Sequence, residues 1–151
     1  MPPDQKKIKV LIADGSELVR IYFRDIFWIN GFENCCDLSV AADLDETEAI
    51  VKDPATRPDV IFLGLSLRKK IDGRTFIDPK YSFEFAHRIK TDPELRHIKI
   101  FVFSSHMEKQ FERDAKNAQV DQYVYKNQNL PKDIVAIIDS FTEPCKPTPT
   151  K

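Results

Sequence analysis

Short, largely apolar runs alternate along this chain with longer segments in which apolar residues recur every three or four positions. The fullest run is Pro58-Asp59-Val60-Ile61-Phe62-Leu63-Gly64-Leu65, of the kind that fills the middle of a parallel sheet covered on both faces. Ile8 to Ala13 (IKVLIA) is a second such run, closed by Asp14-Gly15-Ser16, and Cys35 to Ala42 reads as a strand with softer edges. Ile98 to Phe103 and Val120 to Tyr125 complete a set of five predicted strands, with Asp59 to Leu65 as the third.

Helical patterns lie between them. Ser16 is placed to cap a helix that runs to about Asn30, with Glu17 at its positive end and Gly31 as its stop. Val19, Tyr22, Phe23, Ile26 and Ile29 make its predicted core face, and a second stripe of Leu18, Ile21 and Trp28 is expected to broaden that core contact, with a partner-binding patch as the alternative. Asp45 to Lys52, Ser82 to Lys90, Glu108 to Ala118 and Pro131 to Phe141 are the remaining helices, the last with Ile134, Val135, Ile137 and Ile138 on its apolar face. The segment Arg68 to Ser82 has no clear periodicity and reads as a long loop.

Strands separated by helices force parallel pairing through right-handed crossovers. The expected fold class is therefore α/β, a doubly wound five-stranded parallel sheet of order 2-1-3-4-5. The domain is expected to span 7–141, with flexible tails at 1–6 and 142–151, the latter rich in proline. In such sheets ligands gather beyond the carboxyl ends of the strands, where Gly64 stands, and a glycine brings no functional group there.

Composition narrows the function. A formal net charge of -1 provides no field for nucleic acid, and no run is long enough to cross a bilayer, so neither nucleic acid nor membrane is an expected partner. The start, Met1 to Lys7, lacks the apolar stretch of a secretory signal, and three cysteines with an adjacent pair, Cys35-Cys36, suit neither a disulfide framework nor zinc. Reduced thiols fit a cytoplasmic location. His87, His97 and His106 have no catalytic or metal spacing, and the basic Arg68-Lys69-Lys70, Arg74 and Lys80 are expected to be a solvated loop.

From about Lys7 to Phe141 the chain resembles the response-regulator receiver domain of two-component signalling. The resemblance rests on VLIADGS at Val10 to Ser16, PDVIFLGL at Pro58 to Leu65, IDG at Ile71 to Gly73, RIKTDPELRHIKIFVFSSH from Arg88, and DQYVYK at Asp121 to Lys126. It implies the flavodoxin-like receiver fold. In that family two acidic groups after the first strand hold magnesium, an aspartate ending the third strand accepts a phosphoryl group, and a lysine neutralises developing charge. A hydroxyl and an aromatic then relay the change to a distant surface.

Residue by residue, the resemblance implies a degenerate site. Asp14 matches the first acidic position, but Gly15 stands at the second and Gly64 at the phosphoacceptor. Ser104 matches the switch hydroxyl, Tyr123 the switch aromatic and Lys126 the lysine, while Asn127 replaces the usual proline. Asp14 alone should hold magnesium poorly, so no cofactor, no metal site and no catalytic residue is expected. Lys126 should instead pair with Asp14.

The expectation is a pseudo-receiver, a non-enzyme that signals by protein–protein interaction. The family's partner surface maps onto Glu108 to Phe141, facing a histidine kinase or an output protein; a homodimer is a further possibility. Two alternatives stand beside it: an unconventional phosphoacceptor using a substitute such as Ser66 or Asp72, and a small-ligand or anion sensor at the pocket vacated by Gly15 and Gly64.

Overall fold

A computed structural model describes residues 7–126, 128–129 and 131–142. The chain folds as β1 (Ile8–Ala13), α1 (Glu17–Ile29), a short 3-10 turn (Phe32–Asn34), β2 (Cys36–Ala41), α2 (Leu44–Lys52) and β3 (Val60–Leu63). There follow β4 (Arg68–Ile71), β5 (Arg74–Ile77), α3 (Pro79–Thr91), β6 (Lys99–Ser104), α4 (Lys109–Asn117), β7 (Gln122–Tyr125) and α5 (Pro131–Thr142). Five strands form one parallel sheet of order β2-β1-β3-β6-β7, which is 2-1-3-4-5 when its own strands are counted.

Strand periodicity divides the core in two. Val10, Ile12, Phe62, Phe101 and Phe103 point to the face covered by α1 and α5, where they meet Phe23, Phe27, Ile134 and Phe141. Leu11, Ile61, Leu63, Ile100 and Val102 point to the opposite face, under α2, α3 and α4. The aromatic side interlocks: Phe23 packs on Phe62 and Phe103, and Phe62 stacks on Phe101 at 5.2 Å.

Four expectations are corrected. Leu18, Ile21 and Trp28 are exposed, as is Ile29, while Phe27 is fully buried. One arc of α1 suffices to cover the sheet, and Phe23, Ile26 and Phe27 already fill it. The segment expected as a loop over Arg68 to Ser82 holds an antiparallel β4–β5 ribbon, whose turn places Asp72 and Gly73 at positive φ (52° and 81°). The helix after it starts at Pro79 rather than Ser82, because Asp78 caps it by accepting a hydrogen bond from the Lys80 amide. Within the basic run Lys69 is not free in solvent, whereas Arg68, Lys70, Arg74 and Lys80 are exposed. Lys69 Nζ lies 3.0 Å from both Asp45 and Glu48 on α2, and Arg88 of α3 reaches the same Glu48.

No helix among the described residues is long and apolar enough to cross a membrane. The tails set at 1–6 and 142–151 fall, apart from Thr142, outside the described residues, as do Asn127 and Cys145.

Candidate functional site

The sheet register gathers the expected residues at one end. Ala13, Leu63, Val102 and Tyr123 lie in line across β1, β3, β6 and β7. Asp14 and Gly64 follow the first two, and the Gly64 amide donates to the Ala13 carbonyl at 2.8 Å. Lys126 follows β7, its amide donating to the Ser104 carbonyl at 2.9 Å. Asp14, Gly15, Gly64 and Lys126 thus converge where an open α/β sheet carries its chemistry.

Asp14 is buried and fully engaged. Its Oδ1 accepts from the Ser16 amide at 2.9 Å, as the chain turns into α1, and its Oδ2 lies 3.1 Å from Lys126 Nζ. Arg20 donates to its backbone carbonyl at 2.7 Å. The ammonium of Lys126 also lies 5.5 Å from the centre of the Phe103 ring, a cation–π placement that holds the lysine over the sheet.

The space at the glycines is narrow. A Cβ on Gly64 would lie 3.1 Å from Asp14 Oδ2 and 3.2 Å from the Ala13 carbonyl oxygen, so the Asp14 carboxylate leans over Gly64. A Cβ on Gly15 would lie 3.0 Å from the Ser66 carbonyl oxygen, in the loop that leads to the ribbon. On the other side the buried Ser82 hydroxyl of α3 donates to the Gly64 carbonyl at 2.8 Å.

Ser104 and Tyr123 meet through a third residue. The buried Ser104 Oγ accepts from the His106 amide at 3.0 Å, and the Tyr123 hydroxyl donates to the His106 carbonyl at 2.7 Å. Both therefore tie down the connection between β6 and α4. Burial pushes the Tyr123 phenol above its ordinary pKa, a hydrogen bond with Ser104 working against this, and the nearby Glu108 and Glu112 adding to it.

The donors present do not fit a magnesium ion. Magnesium takes six oxygens in near-octahedral array. Here Asp14 is the single carboxylate, both of its oxygens are engaged, and Gly15 supplies no side chain. Among the described residues no group of three or more His, Cys, Asp or Glu is arranged to hold a metal.

Sequence reasoning did not foresee the contacts that His106, Ser66, Ser82 and Lys69 make. Two of these act through backbone atoms, which side-chain identity does not report. Ser82 did leave a signal, a small polar residue directly before the apolar Phe83 and Phe85 on a buried helix face.

No protein-family model and no curated protein matches the chain. Solved structures do. The phosphorylated cyanobacterial phytochrome response regulator RcpA is 22% identical, with a TM-score of 0.72 over 95% of this chain and 99% of that one. A CheY-like receiver domain protein from Methanospirillum hungatei is 16% identical, with a TM-score of 0.69 over 92% and 96%. CheY4 of Vibrio cholerae is 17% identical, with a TM-score of 0.67 over 89% and 98%. The chain therefore has the flavodoxin-like fold of the response-regulator receiver domains.

Proposed function

We propose that this chain is a degenerate receiver of two-component signalling that works by protein contact without accepting a phosphoryl group. The observation that carries this reading is the Asp14–Lys126 pair over Gly64. A phosphoryl acceptor needs a nucleophile, a metal to screen its charge and a cation to stabilise the transferred group. Gly64 is no nucleophile, Asp14 has no second acid beside it, and Lys126 already neutralises Asp14. The same pairing weighs against an anion sensor at this point, since the pocket's lysine is committed to a carboxylate.

The contact surface in this reading is α4, β7 and α5, within Glu108 to Phe141. Lys126 and Tyr123 border it from the pocket side, and the Tyr123–His106 hydrogen bond holds its leading loop in one arrangement. With no phosphoryl switch, a partner would either find this arrangement ready or shift it by binding a second one more tightly.

The test is an amide NMR titration with magnesium and beryllofluoride, together with intact mass after treatment with a small-molecule phosphodonor. The expected result is no shift at Gly64, Ser104 or Lys126 and no added mass. Saturable shifts at those amides, or a labile adduct mapped to the exposed Ser66, would replace this reading with that of an unconventional acceptor. Charge reversals at Lys109 and Arg113, both on α4, are expected to weaken capture of a partner while leaving the melting temperature unchanged.

A further inference from the structure

The face of α1 turned away from the sheet is apolar. Leu18, Trp28 and Ile29 are 78%, 70% and 73% exposed, and Ile21 is 41% exposed. Leu18, Ile21, Asp25 and Trp28 follow one another at steps of three, four and three, which is the seam of a helix that pairs with another helix. Four large apolar side chains are exposed on one side of a thirteen-residue helix, about the single charge of Asp25, unlike the scattered exposures normal on a surface.

We infer that this face binds a second copy of the same chain, α1 packing antiparallel on α1 about a twofold axis near residue 23. The charge pattern selects this occupant. A twofold contact is self-complementary, so each contact is made twice with the roles exchanged. About that axis Leu18 of one copy faces Trp28 of the other at both ends of the seam. Asp25, the one charged residue in the seam, then packs beside Ile21 and Arg24 of the second copy, at an axial offset of about 4.5 Å from that arginine. Two reciprocal ion pairs result from one adjacent pair of residues. Neither Arg24 nor Asp25 has an ion-pair partner among the described residues of its own chain. In-register parallel pairing would set Asp25 level with Asp25, whereas the twofold offsets the two carboxylates by about 6 Å along the axis, farther than each lies from the second copy's Arg24.

The surface beside the seam is recessed. A cleft of about 490 Å³, lined by Arg24, Asp25, Trp28, Glu33 and Leu38, flanks the indole and can receive a side chain from the facing helix. One helix seam covers less than the roughly 800 Å² per partner of a standard interface, so the dimer is reversible and concentration-dependent. This inference uses neither the Asp14–Lys126 pocket nor the α4–β7–α5 surface, and it stands or falls apart from the proposed function.

Trp28 is the chain's only tryptophan, so its emission reports the contact directly. Sedimentation velocity and tryptophan emission of the 151-residue chain over a wide concentration series are expected to show a monomer–dimer equilibrium, with a blue shift that tracks the dimer. Arg24→Glu and Asp25→Arg should each weaken dimerisation by about tenfold or more through like-charge contact. The double variant R24E/D25R should restore it. Trp28→Ser and Leu18→Ser should abolish it while leaving the far-UV circular dichroism unchanged. A chain that stays monomeric at every concentration overturns the inference. A dimer indifferent to the charge reversals does so too, by placing the contact elsewhere. Emission already blue-shifted in the dilute monomer would overturn it by showing the face covered within one chain.

Discussion

Lys126 reaches across the carboxyl end of the sheet to within 3.1 Å of Asp14, and the carboxylate it meets is buried while the lysine is about a quarter exposed (25%). Removing the lysine leaves a buried charge without its partner. Lys126→Ala is expected to cost about 1–3 kcal/mol, below the cost for a fully enclosed pair because water reaches the lysine. Asp14→Asn should cost less, and the double variant should recover part of the Lys126→Ala loss. Urea unfolding of the four proteins measures this; independent, additive effects would show that the pair is not coupled.

Restoring carboxylates at the two glycines should not restore an acceptor. A side chain at 15 meets the Ser66 carbonyl oxygen at 3.0 Å, and one at 64 meets Asp14. Backbone or buried carboxylate must move in each case, at about 1–3 kcal/mol. The double variant Gly15→Asp/Gly64→Asp is expected to melt lower than the parent and to gain no phosphoryl mass from a small-molecule donor. Efficient labelling would mean that the loop through Ser66 yields easily.

Lys69 should anchor the ribbon in a pH-dependent way. Asp45 is held below its ordinary pKa, chiefly by the Lys70 amide that donates to it, with Lys69 adding to the effect. For Lys69, burial opposes the charged form, but its bonds to Glu48 and Asp45 outweigh this and raise its pKa. A lowered carboxylate stabilises fully above the unfolded value near 4 and is lost as pH falls through the folded value. A raised lysine stabilises fully below about 10.5 and is lost above it. The protection of the Lys70 amide against hydrogen exchange, relative to its intrinsic rate at each pH, should therefore be constant between these limits and fall on the acid side. Lys69→Met should lower it within that range, with a stability loss of about 1 kcal/mol.

The tether at His106 gives a separate expectation. Tyr123→Phe removes the hydroxyl that donates to the His106 carbonyl and should cost about 1 kcal/mol. Because burial raises the Tyr123 pKa, its contribution is complete below the ordinary tyrosine value of 10.0 and fades above it. The variant should thus lose stability less steeply than the parent in alkali. Amide relaxation of residues 105–108 is the second readout, and unchanged loop motion would argue that Tyr123 is only packing.

The parallel sheet was legible because its strands are buried on both faces, and continuous apolar runs such as Ile8 to Ala13 have few other uses. The ribbon was not. Arg68 to Ile71 and Arg74 to Ile77 are largely exposed, so neither shows the in-and-out alternation of a half-buried strand. Asp72-Gly73 was a sound turn signal without strands recognisable beside it. In α1, apolar residues lie on two arcs, and periodicity alone does not tell which arc meets the sheet. At the pocket, side-chain identities pointed to Asp14 with Lys126. The Ser66 carbonyl over Gly15 was beyond reach, since a glycine permits a close backbone approach without naming what approaches.

The ribbon ends in open space, for a Cβ on Gly73 would meet nothing within 4 Å. Its two strands bond to each other and lean on α2 through charged groups, so no apolar core depends on the residues at the tip. The tip is therefore a natural breakpoint of the polypeptide. A protease recognition sequence, an epitope or a fluorophore inserted between Asp72 and Gly73 should be carried without unfolding the domain.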